Sequence, residues 1–151
     1  MKVAIITAST AVYKGEQEDA SGKVIRKMVE EAGLDVVFMK ALPTDKTVLS
    51  TVFQRMADGN LADLILTTGG AGCGPEDCTP EATMEVLGIP EGMRAHMLTL
   101  TKRAMLNRAA AGIRGKVVIV NLPGKAGAVK ECLGYILPEV MHAVEVAQGI
   151  K

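Results

Sequence analysis

From Leu64 to Thr83 the chain reads LILTTGGAGCGPEDCTPEAT. The apolar run Leu64-Ile65-Leu66 passes through Thr67 and Thr68 into a loop with glycines at 69, 70, 72 and 74. Asp77 follows, and Thr79-Pro80-Glu81 opens a new periodic segment. The predicted order is strand, glycine-rich turn, acidic residue, helix. Glycine admits positive φ and lets backbone N–H groups approach an anion without a Cβ in the way. Thr79 is predicted as the N-cap, with Pro80 at the first helical position and Glu81 in the first turn. Such a loop is either a phosphate cradle or a tight connection that binds nothing. Two better-known fingerprints are excluded. A Walker loop ends in Gly-Lys-Ser/Thr, where this chain has Gly74-Pro75-Glu76-Asp77, and Pro75 occupies the third glycine of the dinucleotide motif. A carboxylate just beyond the glycines points instead to Mg²⁺ shared between protein and phosphate, with Asp77 as its first candidate ligand.

Upstream of this stretch the same strand-then-helix unit occurs twice. Val3–Thr7 is a continuous β-rich run, as expected for a strand buried on both faces, and Val36–Met39 reads as the second strand. Each precedes an amphipathic segment: Val24, Ile25, Met28, Val29 and Ala32 closed by Gly33, then Val48, Leu49, Val52, Phe53 and Met56 followed by Gly59. A β-α-β-α-β order predicts a parallel sheet with right-handed crossovers. Downstream, a short helix is expected over about Pro80–Leu87 and a longer one over about Glu91–Leu106, striped by Met93, Met97, Leu100 and Ala104. Ala109–Ile113, Arg114-Gly115 and Lys116–Val120 read as a hairpin that makes the sheet mixed. A helix over about Ala128–Cys132 and another opened by Pro138 close the chain.

The 151 residues fit a single domain, 1–151, with a real core. Two Phe, two Tyr and no Trp make that core aliphatic, with nine Met to fill gaps. Seventeen basic residues balance seventeen acidic ones, which gives no electrostatic reason to expect nucleic acid or an anionic membrane as partner. No apolar run is long enough to span a bilayer, and MKVAIITAS reads as a buried strand rather than a signal peptide. Cys73, Cys78 and Cys132 form no CxxC pair and read as reduced thiols of a cytoplasmic protein. His96 and His142 read as structural or surface residues.

Strands of one parallel sheet gather their C-terminal loops along one edge, where open α/β sheets bind ligands. Those loops are Ala8-Ser9-Thr10, Pro43-Thr44-Asp45, Thr67-Thr68-Gly69-Gly70 and Asn121-Leu122-Pro123-Gly124. Asp45 is thereby expected near Asp77, as a catalytic or metal carboxylate, as the cap of the second long helix, or as both. Lys14, Arg108 and Lys125 lie on loops suited to phosphate. Glu16, Glu18 and Asp19 read first as charges favoured by a helix dipole.

Taken together, TTGGAGCGPEDCTPEAT, AGIRGKVVIVNLPG and the upstream GEQEDASG resemble the MogA/MoaB family of molybdenum-cofactor biosynthesis proteins, to which gephyrin and plant domains are related. The likeness spans essentially the whole chain. It implies a three-layer α/β/α domain, usually trimeric and hexameric in the MoaB branch. It also implies adenylylation of molybdopterin with Mg²⁺ and ATP. By the same resemblance Asp77 is the family's aspartate, catalytic and metal-binding, with Asp45 beside it. Gly69, Gly70 and Gly72 match the phosphate or pterin loop, flanked by Ser9 and Thr68. Asp19, Ser21 and Gly22 match the motif before the first long helix, Asn121, Pro123 and Gly124 match NLPG, and Arg108 matches an arginine ahead of the Ala-Gly segment. The chain departs from the pattern at Thr10 and Thr44, where Asp is common, and at Ala71, Glu76 and Asn107, where Thr, Arg and Ser are usual.

Overall fold

A computed structural model of the chain describes residues 1–84 and 91–150. Strands β1 (Lys2–Ala8), β2 (Asp35–Leu42), β3 (Leu64–Thr68), β4 (Ala111–Arg114) and β5 (Val117–Leu122) form one sheet in the order β2-β1-β3-β5-β4. All pairings are parallel except β4 with β5, so the hairpin expectation and the mixed sheet both hold. Side chains alternate across the central strands, and this parity builds two cores. Val3, Ile5, Leu64 and Leu66 face one way, with Ile25 and Val29 of α2 (Ala20–Glu31) and Leu133 of the last helix. Ala4, Ile6 and Ile65 face the other way, against Leu49 and Phe53 of α3 (Lys46–Asp58) and Ala82 of α4 (Thr79–Met84). The result is a three-layer α/β/α arrangement with an aliphatic core on each side of the sheet.

Four expectations need correction. The loop after β1 contains a short helix α1 (Thr10–Tyr13), because the Ser9 hydroxyl accepts from Val12 N and caps it. The helix expected over Glu91–Leu106 is two pieces. Helix α5 (Glu91–Leu98) stops where Thr99 Oγ1 donates to His96 O at 2.7 Å, and Thr101 then caps a 3₁₀ turn over Lys102–Leu106. Met93, Met97 and Ala104 are buried as the stripe predicts, whereas Leu100 is exposed. The C-terminal segments are one helix, α6 (Ala126–Gln148), running through Pro138. Val129, Leu133, Leu137 and Val144 hold its inner face across that point while Pro138 stays outside, so core packing outweighs one lost backbone bond. Finally, Thr79 is inside the first turn of α4, and its hydroxyl donates to Gly69 O at 3.0 Å instead of capping. The continuation of that helix to Leu87 lies outside the described residues. No described helix is long and apolar enough to cross a membrane.

Candidate active site

At the C-terminal edge of the parallel strands lies a cleft of about 360 Å³. The four loops expected there supply Ala8, Ser9, Thr10, Thr44, Thr68, Gly69, Gly70 and Gly124, and Asp19, Ser21, Glu76 and Asp77 complete much of the lining. The glycine loop holds this edge together. Gly69 and Gly70 have φ of +84° and +64°, a region that costs other L-residues free energy. Neither position leaves room for a side chain, since a Cβ on Gly69 would overlap Ala8 O and one on Gly70 would overlap Thr79 Oγ1. Among the described residues, the N–H groups of Gly70, Ala71 and Gly72 have no acceptor within the chain. Of these only Gly70 lines the cleft, and a free donor there is satisfied by water or by an anion.

Asp77 sits beside these donors. Its Oδ2 accepts from Gly74 N at 2.7 Å, and the glycines at 72 and 74 let the carboxylate lie close against the loop. Its Oδ1 accepts no hydrogen bond among the described residues. Asp19 is engaged more fully: Oδ1 caps α2 through Gly22 N at 2.8 Å, and Oδ2 accepts from Thr7 Oγ1 at 2.8 Å. A Cβ on Gly22 would collide with that carboxylate, which explains the glycine there. Ser21 Oγ donates to Gly124 O and Thr68 Oγ1 to Pro123 O, both at 2.6 Å. These two bonds fix the loop after β5 against its neighbours.

Several anticipated site residues stand behind the lining. Asp45 caps α3 through Val48 N and does not line the cleft. In its place Thr44 does, with its hydroxyl 2.8 Å from that of Thr10. Asn121 is fully buried; its Nδ2 donates to Thr67 and Thr83 hydroxyls, and its Oδ1 accepts from Ala110 N. Arg108 donates to Gly72 O, to Asp77 O and to the Glu81 carboxylate. Burial pushes Glu81 up, but the hydrogen bond and charge of Arg108, the backbone and Lys46 outweigh it and hold the carboxyl below its ordinary 4.5. Gln17 and Glu18 also line the cleft, although Glu18 reads from sequence as a helix-dipole charge rather than a site residue. Burial, followed by Glu81, Asp45 and Asp77, raises the Cys78 thiol, and burial raises that of Cys132 to about 11. Both are therefore poor nucleophiles at neutral pH.

The charge of the lining is one-sided. Glu18, Asp19, Glu76 and Asp77 contribute carboxylates, and among the described residues no Lys, Arg or His lines the cleft. The described residues form no group of three or more side chains able to hold a metal ion by themselves. A cation bound here would complete its shell with ligand oxygens, as Mg²⁺ does with phosphates.

Comparison with known proteins gives this geometry its relatives. Molybdopterin adenylyltransferases are similar to it along most of their length. That of Helicobacter pylori (strain ATCC 700392 / 26695) is 34% identical over 97% of this chain and 88% of its own, and that of Pyrococcus furiosus 38% identical over 97% and 91%. Among solved structures, the molybdopterin biosynthesis enzyme MoaB of Thermus thermophilus superposes with a TM-score of 0.88 at 35% identity, covering 98% of this chain and 96% of that one. The tungsten cofactor synthesizing protein MoaB of P. furiosus gives 0.85 at 36% identity, covering 97% and 96%. The family model described as a probable molybdopterin binding domain matches residues 4–142, and the chain belongs to that family.

Proposed function

We propose that this chain is a molybdopterin adenylyltransferase acting in molybdenum cofactor biosynthesis. In the reaction, a terminal phosphate oxygen of molybdopterin attacks the α-phosphorus of ATP. The new P–O bond forms as the bond to the β-phosphate bridging oxygen breaks, and pyrophosphate leaves. The observation that carries this reading is the meeting of the Gly70 N–H, which has no acceptor among the described residues, with the Asp77 carboxylate in the lining of one acidic cleft. A polyphosphate placed among four carboxylates without a basic side chain is repelled unless a cation accompanies it. The residues therefore fit Mg²⁺, with Asp77 Oδ1 as the protein ligand; when bound, the ion neutralises phosphate charge at the reacting centre. The protein's own share is positioning. The Gly70 amide orients a phosphate oxygen, and Ser9, Thr10, Thr44 and Thr68 offer hydroxyls along the cleft.

The test is pyrophosphate release from Mg-ATP with molybdopterin. Asp77→Asn keeps an oxygen for Gly74 N, so the loop is expected to survive with an unchanged melting temperature while turnover drops at least about a hundredfold. Turnover equal to that of the unaltered protein would remove Asp77 from the chemistry. One observation favours a second reading, a pterin-binding member without nucleotide chemistry: the hydroxyl pair Thr10–Thr44 stands where active relatives are expected to carry carboxylates. Calorimetry separates the two, because the binder takes up molybdopterin and gives no heat with Mg-ATP.

We also propose a homo-oligomer, a trimer by family resemblance. In support, a largely apolar groove of about 510 Å³ lies between α5, β4, β5 and α6, and Leu98, Leu100, Met105 and Leu106 are exposed.

A further inference from the structure

Loop 72–77 carries the Asp77 carboxylate, yet it has little to hold it. Cys73, Gly74, Pro75 and Glu76 are exposed and belong to no helix or strand. Within the loop the described hydrogen bonds are Asp77 N to Gly74 O and Gly74 N to Asp77 Oδ2. Two links tie it to the rest of the fold: Cys73 Sγ donates weakly to Leu106 O at 3.4 Å, and the stronger hold comes from a side chain 31 residues beyond Asp77. Arg108 Nε donates to Gly72 O at 2.7 Å and Nη2 to Asp77 O at 3.0 Å, so a single planar group grips both ends of the loop. Its backbone N–H donates to Ala71 O, and Nη1 pairs with Glu81 on α4, which fixes the plane. We infer that Arg108, braced by Glu81, is the positioning residue that aims Asp77 into the cleft. The guanidinium meets the main-chain oxygen of Asp77 and leaves the carboxylate free for a cation. Its own charge is met by Glu81, so its contribution is geometric. Lysine, whose three N–H donors all leave one nitrogen, cannot span the three acceptors that the guanidinium reaches.

The assignment of a role in turnover rests on the transferase reading above; the clamp on the loop does not. The test uses Arg108→Ala and Arg108→Lys in the full chain, with melting temperature as the check on folding. Both variants are expected to lose about a hundredfold in kcat, as misplacing a group by about 1 Å does, with KM for molybdopterin and ATP within about threefold. The Mg²⁺ concentration for half-maximal rate is expected to rise. Methylguanidinium should restore the alanine variant at least about tenfold, and ammonium should not. A kcat within about threefold of the unaltered enzyme, a loss confined to KM, or equal rescue by ammonium would each overturn the inference. A second readout needs no substrate. Amide hydrogen exchange at Gly74 and Asp77, whose N–H groups are bonded within the loop, should accelerate at least about tenfold in Arg108→Ala in the free protein while β1 and β3 amides keep their rates. Unchanged loop exchange refutes the clamp even if the unaltered protein turns out to transfer nothing. Faster exchange in an inactive protein keeps the clamp and removes only the transferase reading.

Discussion

Replacing Asn121 by Ala tests whether the NLPG motif contacts a ligand or supports the sheet edge. The carboxamide links three elements: Oδ1 takes Ala110 N at 3.1 Å, and Nδ2 gives hydrogen bonds to Thr67 Oγ1 at 2.9 Å and Thr83 Oγ1 at 2.8 Å. Alanine makes none of these. The buried Ala110 N–H is left without an acceptor, at a cost of about 1–3 kcal/mol. The two threonines lose a donor each, at about 1 kcal/mol net per bond, although Thr83 keeps its own bond to Thr79 O at 2.9 Å. The sum is about 3–5 kcal/mol, a large part of the about 5–15 kcal/mol that holds a domain of this kind folded. At about 2–4 °C per kcal/mol, the melting temperature should fall by about 6–20 °C. The assay is thermal and urea unfolding beside the KM for molybdopterin. A variant that melts within about 2 °C of the parent while KM rises would refute the reasoning, because Asn121 would then be touching ligand.

Gly70 and Gly33 share a positive φ, of +64° and +75°, but differ in surroundings: a Cβ at Gly33 meets nothing within 4 Å, whereas one at Gly70 overlaps Thr79 Oγ1. Gly33→Ala should therefore cost only the left-handed penalty of about 1–2 kcal/mol, and Gly70→Ala measurably more, read as a lower urea midpoint with impaired turnover; equal midpoints would sink the crowding argument. Ile113→Asp places a charge in the apolar groove beside α6, and light scattering should show about three chain masses falling toward one; an unchanged mass would show that this face is not the one between copies.

The fold was legible where burial imposes a period. Strands β1 and β3 are buried runs, β2 is a half-exposed edge strand, and the helices that follow β1 and β2 have apolar residues recurring every three or four positions, so any topology that covers both faces of the central strands places α2 and α3 as found. Other features were set by partners distant in sequence. Nothing local says that Leu133, Leu137 and Val144 share one straight face across Pro138, since that depends on α2 and the sheet being there to receive them. The break after Leu98 follows from hydroxyls of Thr99 and Thr101 closing the helix end, a competition that apolar spacing does not register.

The site divides along the same line. Four loops met at one edge because parallel strands leave no alternative, and Ser9, Asp19, Ser21, Thr68, Gly69, Gly70, Asp77 and Gly124 all line the cleft. Sorting contact from support required the bonds themselves. Ser21 reaches Gly124 across 103 positions, Thr68 reaches Pro123 across 55, and Arg108 reaches Gly72 across 36. A motif alone gives all such residues equal standing. The physics separates them, since a side chain whose donors and acceptors are already spent within the fold has none left for a ligand. By that criterion Asn121 shapes the cleft, Arg108 has three of its five donors committed to the loop and to Glu81, and Asp77 and Glu76 are lining carboxylates with oxygens uncommitted within the described fold.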